Sequence, residues 1–579
     1  MAMRPINSAW TLGGLALLAA GCSSDGPVPP VTSCDTTTPA VALTPLTGTT
    51  VRAADFGRCF QLQEAGDYVL VPQFASEGPE NPNGEPRTLQ PFGFQFGVGL
   101  TPDATAASAA VARLPWSAPA PASARGSDVA SRFHAMLRQR ESELPITTAV
   151  ARSGGAGASL MQAQVSGGTP AATRNFRVLA NLSGTEFQTV TADLKYAGNK
   201  IWLYVDQTTP AAGFTDAEWS AFGRLFNDNL YTIAANAFGT ESNVDGDGHI
   251  SVLFTPVVNA LVQPDPDNPV NSCRSYVAGF FTGFDLMGGS DPNSNRAEIF
   301  YSSVPDPNGD AGCPIRLEQV RAITPATFIH ELQHMISFNQ HRIVRGGSRS
   351  ENVWLNEGLS LIAEELGGKY YEAKYPPPSG RTVANQLFPD SARGFLEPNL
   401  NYAFDWLTMT SDSSVTTFND FGSLEERGGA WLFLRWLGDQ KGEQVYGKLV
   451  QTSLRGAANV AAQAGESFPT LFGDFAMAVY TDSIPGVART SIPPRYRFTS
   501  RNFYWIFGRV STTGTHPVSP IELAVGQSDS NDMPQGGIEF YRVRPAQAPL
   551  SFRFSRTDRT QLATSLGAQV TIFRLPDAP

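Results

Sequence analysis

Histidine is scarce in this chain, with six copies in 579 residues, and cysteine is scarcer still, with five. Five cysteines allow at most two internal disulfides and leave one over. Basic runs are missing: the formal net charge is −11 with a sequence pI near 5.2, and no stretch offers the positive footprint that nucleic acid requires. Long apolar runs are missing too. The one near the start, Leu12 to Ala20, falls well short of the roughly 20 residues a permanent membrane span needs. No repeat of fixed period is present. These absences describe an acidic, folded chain of several domains.

With so few histidines, their placement carries information. Two of them stand in Thr324-Pro325-Ala326-Thr327-Phe328-Ile329-His330-Glu331-Leu332-Gln333-His334. On a helix, His330 and His334 fall one turn apart on one face, so both imidazoles reach one cation while Glu331 lies beside them. The local signals predict that this helix begins at Thr324. Thr324 suits the cap, Pro325 the first helical position, and Ile323 with Phe328 the apolar staple across it.

A catalytic zinc takes three protein ligands and keeps a fourth position for water, so one ligand is missing. His341 follows His330 by eleven residues, which on a straight helix carries it about 16 Å away. A metzincin-like set needs glycine at 337 and histidine at 340, where this chain has Ser337 and Gln340. Glu357, in Trp354-Leu355-Asn356-Glu357-Gly358-Leu359-Ser360, is the better ligand. It lies on a second predicted helix, Trp354 to Leu366, and two facing helices can present His, His and Glu to one ion. Glu351, Glu364 and Glu365 are its rivals, with Glu351 outside the apolar run and the other two about two turns later.

His-Glu-Leu-Gln-His-Met-Ile followed by Trp-Leu-Asn-Glu-Gly-Leu-Ser resembles the hyicolysin-type metallopeptidases among the gluzincins, over Phe176 to about Asp482. The Trp-Leu-Asn-Glu-Gly portion also resembles aminopeptidase-N-like enzymes. The resemblance implies one zinc per chain on His330, His334 and Glu357, Glu331 as general base, and protein or peptide substrates. Thermolysin-like enzymes carry Asp four residues after the ligand Glu, contacting the first histidine; here that position is Leu361. Ser360 and Glu364 are the candidates to replace it. The Gly-Ala-Met-Glu-Asn motif that holds a substrate's free amine is absent upstream of His330, which favours an endopeptidase. The rival readings are a non-enzymatic surface binding lipoprotein built on a peptidase scaffold, and a metzincin-like peptidase using His341.

The fold class expected is α+β and multidomain. A gluzincin-type domain, mixed sheet plus active-site helix and then a helical subdomain, spans 176–483. An N-terminal β-domain at 34–100 and a C-terminal β-sandwich at 484–579 flank it, and a linker with one helix occupies 101–175. Strands are read at Tyr68 to Pro72, Phe92 to Val98, Phe176 to Ala180, Lys200 to Val205, Glu539 to Val543 and Gln569 to Phe573. Thr215 and Glu218 form a capping box ahead of Trp219, Phe222, Phe226, Leu230 and Ile233, which recur at helical spacing against a core.

Residues 1–21 read as an export signal: a basic residue at Arg4, a short apolar core and small residues before Cys22. Leu18-Ala19-Ala20-Gly21-Cys22 resembles the lipobox of bacterial lipoproteins, which implies lipidation at Cys22 and a membrane anchor at the cell envelope. Ser23 favours the outer membrane of a two-membrane cell, and residues 22–33 form a flexible tether. The remaining cysteines pair most simply within domains, Cys34 with Cys59 and Cys273 with Cys313, although spacing alone leaves the connectivity open. Asn243, Asp245, Asp247 and His249 alternate as a calcium loop would, but Phe254 stands where an EF-hand has its bidentate Glu. The alternative is an Asp-Gly turn feeding a strand.

Overall fold

The computed structural model describes residues 39–56, 59–78, 91–99, 129–144, 168–210, 213–265, 273, 276–287, 291–374, 390–417, 422–510, 515–544 and 548–576. The export signal, the tether, Cys22 and Cys34 lie outside them.

Alternating apolar side chains build the central sheet and give it two buried faces. Its six strands run in the order Gly279–Phe281, Ile299–Ser302, Ile250–Phe254, Ile201–Asp206, Phe187–Ala197, Thr173–Leu179. The inner pairings are parallel, Ile299–Ser302 with Ile250–Phe254 and Ile250–Phe254 with Ile201–Asp206, and the outer ones antiparallel. Ile201, Leu203, Val205, Val252, Phe254 and Phe300 point into one core, while Trp202, Tyr204, Leu253, Ile299 and Tyr301 point into another. Period-two alternation with both faces buried is what such runs specify. Helix Asp216–Leu225 starts at the Thr215 and Glu218 capping box as expected, passes through a π-helical turn at Phe226–Leu230, and continues as Tyr231–Phe238.

The helix carrying His330 and His334, Leu317–Phe338, begins seven residues before the expected cap at Thr324. Arg316 precedes it, with its N–H bonded to Gln319 Oε1 at 3.0 Å. Thr324 does not cap. Its Oγ1 bonds back to the Val320 carbonyl at 2.7 Å, and Pro325 sits inside the helix. Local cap signals lose here to burial: Val320 and Phe328 are fully buried in the same core, which stabilises the extra turns in spite of the one main-chain bond Pro325 cannot make. The second helix, Val353–Lys374, packs against it, followed by Asp390–Leu407 and Leu424–Lys441.

The two ends of the chain do not form separate modules, which corrects the expected division into flanking domains. One sheet runs Ala40–Val41, Cys59–Leu62, Leu550–Arg556, Phe92–Val98, Ser528–Met533; the other runs Ile521–Leu523, Tyr541–Val543, Tyr68–Phe74, Ala568–Arg574, Gly48–Arg52. N-terminal and C-terminal strands thus interleave around one core. Phe60 stacks on Phe552 and Phe96 on Tyr541, with centroids 5.2 and 4.8 Å apart. The reason is visible in Tyr68–Phe74, every residue of which is buried. Such a strand needs a partner on each edge, and Ala568–Arg574 and Tyr541–Val543 supply them. The sandwich rests on the helical part through Phe468–Thr481: Gln569 Nε2 donates to the Pro469 carbonyl at 2.6 Å and Arg52 Nη2 to Thr470 Oγ1 at 2.7 Å. Cys273 and Cys313 form a disulfide, and Cys59 is disulfide-bonded as well.

The helix Val129–Glu143, read as part of a linker, instead packs on the central sheet. Phe133 and Leu137 enter its second core, with the Phe133 ring edge-on to Phe280 at 5.2 Å.

Candidate metal centre

His330 and His334 lie one turn apart on the Leu317–Phe338 helix, and Glu357 faces them from the second turn of Val353–Lys374. The two Nε2 atoms are 3.1 Å apart, and each is 3.7 Å from an oxygen of Glu357. All three ligand atoms lie within 4.8 Å of one another, and among the described residues this is the group of three His, Cys, Asp or Glu side chains so placed.

The partners on the far side of each ring explain the arrangement. His330 Nδ1 is 2.7 Å from Glu364 Oε1, and His334 Nδ1 is 3.2 Å from Asn356 Oδ1. A hydrogen on each Nδ1 satisfies both contacts and leaves both Nε2 lone pairs pointing at one another, an arrangement that two bare imidazoles disfavour and a cation between them favours. Glu357 Oε1 is buried without a hydrogen-bond partner beside them. A tetrahedral zinc with bonds near 2.0–2.1 Å sets its ligands ~3.3 Å apart, close to the spacings observed. The donor set therefore fits a metal of zinc's kind.

Burial disfavours the charged form of each of these groups. It pushes the His330 imidazole down to about 3, helped by Arg427 and Arg138, and holds His334 well below its ordinary value. Both rings are thus in the neutral, ligating form. Glu331, 1 % exposed, is pushed up to about 8 by burial, with Arg138 opposing and Glu357 adding to the rise. Its Oε2 accepts the Phe281 N–H at 2.7 Å, which fixes the carboxyl against the edge strand of the central sheet. Arg427 Nη1 donates to Glu357 Oε2 at 2.8 Å and balances part of that buried charge.

The structure brings together His330, His334, Glu331 and Glu357 as the sequence indicated, and settles the partner of His330 as Glu364. Glu364 lies seven residues beyond Glu357, two turns along the same face, so one imidazole spans both carboxylates. Ser360 instead bonds back to the Glu357 carbonyl. Glu351 is buried but serves elsewhere, accepting from Gly456 N and Asn459 Nδ2. His341 stands on the π-helical turn Asn339–Val344 and is not one of the three clustered ligands. Sequence reasoning missed Asn356 and Arg427. Asn356 sits beside Glu357 within the quoted stretch, so its place on the helix was available as a signal; Arg427 carried none.

The Asn243 to His249 stretch forms a turn that uses its own oxygens. Asn243 Oδ1 accepts Gly248 N at 2.9 Å, Asp245 Oδ1 accepts Asp247 N at 3.1 Å, and Asp247 Oδ1 accepts His249 N at 2.7 Å. His249 stacks on Trp202 with centroids 4.1 Å apart. These side chains do not gather as the His330 group does, and the turn feeding strand Ile250–Phe254 accounts for them without calcium.

Fold and site together present a His-His-Glu cluster compatible with a metal ion, on an α+β scaffold. No family model matches the chain. It is similar to the neutral metalloprotease ShpI of Staphylococcus hyicus, 26% identical over 186 residues, which cover 32% of this chain and 38% of that protein. The match therefore spans well under half of the relative. A likeness of that extent supports a metallopeptidase in general terms.

Proposed function

We propose that this chain is a zinc-dependent endopeptidase of the gluzincin type, resembling hyicolysin, acting on proteins or peptides outside the cytoplasm from a lipid anchor at Cys22. The observation that carries the reading is the convergence of two imidazole lone pairs and an unpartnered carboxylate oxygen beside a second, buried carboxyl. The likeness to a neutral metalloprotease supports it.

His330, His334 and Glu357 hold the ion. When bound, zinc supplies an acidified water and polarisation of the scissile carbonyl. Glu331 takes a proton from the attacking water and returns it to the leaving amine, its Oε2 held by Phe281 N–H so that the other oxygen does the transfer. Glu364 and Asn356 orient the two imidazoles, and Arg427 holds Glu357.

Glu331→Gln tests the assignment. The amide keeps an acceptor for Phe281 N–H and cannot carry the proton, so the variant should retain about one zinc by metal analysis while casein hydrolysis falls by at least ~100-fold. Persistent chelator-sensitive cleavage by that variant sinks the mechanism.

A further inference from the structure

The metal centre is buried, and a segment that adds no strand to any sheet lies against it. Glu331 is 1 % exposed, His334 and Glu357 0 %, and His330 9 %. The Val129–Glu143 helix packs Phe133 and Leu137 on one face of the central sheet and reaches its open edge at Gly279–Phe281 with Arg138 and Glu141. The His134 ring stands edge-on to His330 with centroids 6.3 Å apart.

The helix's polar side chains occupy main-chain groups of that edge. Arg138 Nη2 donates to the Phe281 carbonyl at 2.6 Å, and Glu141 Oε1 accepts from Gly283 N at 2.8 Å. Arg138 and Glu141 also pair with each other at 3.2 Å. An extended peptide docking on a sheet edge seeks such carbonyl and amide groups. The helix therefore presents, from side chains, the donor and acceptor that a substrate backbone would present. Its apolar residues Phe133 and Leu137 fill the adjoining space against Phe280.

The C-terminal end of the helix is pinned in the same manner. Arg140 Nη1 donates to the Gly184 carbonyl, and Arg342 Nη2, from the turn following the metal-binding helix, donates to the Leu144 carbonyl. Side chains make all of these bonds, so the helix can leave without breaking a strand ladder. The N-terminal strands beyond it stay fixed, because they are paired with strands from the other end of the chain.

We propose that Val129–Glu143 is a built-in inhibitory helix that fills the substrate cleft between the sheet edge at Phe281 and the metal-binding helix, and that the low basal hydrolysis of protein by the chain comes from the fraction of molecules in which this helix is displaced. The proposal rests on the peptidase reading. Displacement uncovers the Phe281 carbonyl, the Gly283 amide and the outer side of His330 together, while the β-sandwich keeps the N-terminal segment attached.

The test compares zinc-loaded full-length wild type with Phe133→Asp/Leu137→Asp and with the milder Leu137→Ala, each checked for folding by thermal melting. Two readouts are taken: hydrolysis of fluorescein-labelled casein, and the rate at which EDTA strips the zinc, which needs no catalysis. Both rates should rise at least tenfold in the double variant and severalfold in Leu137→Ala. Folded variants that match wild type in both rates, or that lose activity with unchanged zinc release, overturn the inhibitory role and make the helix a fixed wall of the site. Faster zinc release with no casein hydrolysis in any form keeps the helix as a cover and rejects the peptidase reading instead.

Discussion

Replacing Glu364 by alanine isolates what orientation of an imidazole contributes to metal affinity. In the native site Glu364 Oε1 meets His330 Nδ1 at 2.7 Å, and the residue is 8 % exposed. Alanine leaves a buried N–H without an acceptor, which costs about 1–3 kcal/mol, and frees the ring to turn away from the ion. Converted at 1.4 kcal/mol per decade, the zinc dissociation constant should rise between about 5-fold and 150-fold. Competition with a chromophoric chelator at neutral pH reads this directly, and Glu372→Ala on the same helix, whose carboxylate pairs with Arg501, is the control. A folded Glu364→Ala protein binding zinc within twofold of wild type would mean that His330 is held by packing alone, and the account of the site given above fails at that point.

Two further outcomes follow from other parts of the molecule. Burial pushes Glu298 up to about 7 from the ordinary 4.5, against the hydrogen bonds from Ser242 and Val244 N, and its Oε2 has no partner. The folded state therefore binds the extra proton between those values, so this group's contribution to stability is full below about 4.5 and is lost as pH rises through about 7. Glu298→Gln should flatten that slope and raise stability at pH 8 by up to ~3 kcal/mol in urea melts, and an unchanged pH dependence would refute it. Gly223, inside helix Asp216–Leu225, lies against the Tyr196 ring, which a Cβ would meet at 2.2 Å. Gly223→Ala should lower stability by ~1–3 kcal/mol although alanine is the better helix former, and a more stable variant would show that the ring yields freely.

The clustering of His330, His334 and Glu357 was legible because its information is local. His330, Glu331 and His334 are fixed by one helical turn, and Glu357 by the apolar run around it. The start of that helix was misread for the same reason: Thr324 and Pro325 carry strong local cap signals, whereas the burial of Val320 that extends the helix comes from residues distant in sequence. Glu364 was within reach as a same-face neighbour of Glu357. Arg427 was not, since nothing in residues 424–441 marks one arginine as the partner of a carboxylate 70 positions earlier. The interleaved sandwich was hidden in the same way. Tyr68 to Pro72 and Gln569 to Phe573 each read as strands, within the observed Tyr68–Phe74 and Ala568–Arg574, but period-two patterning names no partner.

The interleaving of the chain's two ends sets a clock on synthesis. Phe92–Val98 pairs with Ser528–Met533 on one edge and Leu550–Arg556 on the other, so its first partner is made only after residues 99–527 have been translated. At ~5–20 residues per second that interval is roughly 20–90 s. Throughout it Phe94, Phe96 and the wholly apolar face of Tyr68–Phe74 have no sheet to join, and such unpaired edges invite association with other chains. The sandwich can therefore close only once the strands from Ile521 onward have been made, and the earliest-made strands wait with unpaired edges while everything between them is synthesised.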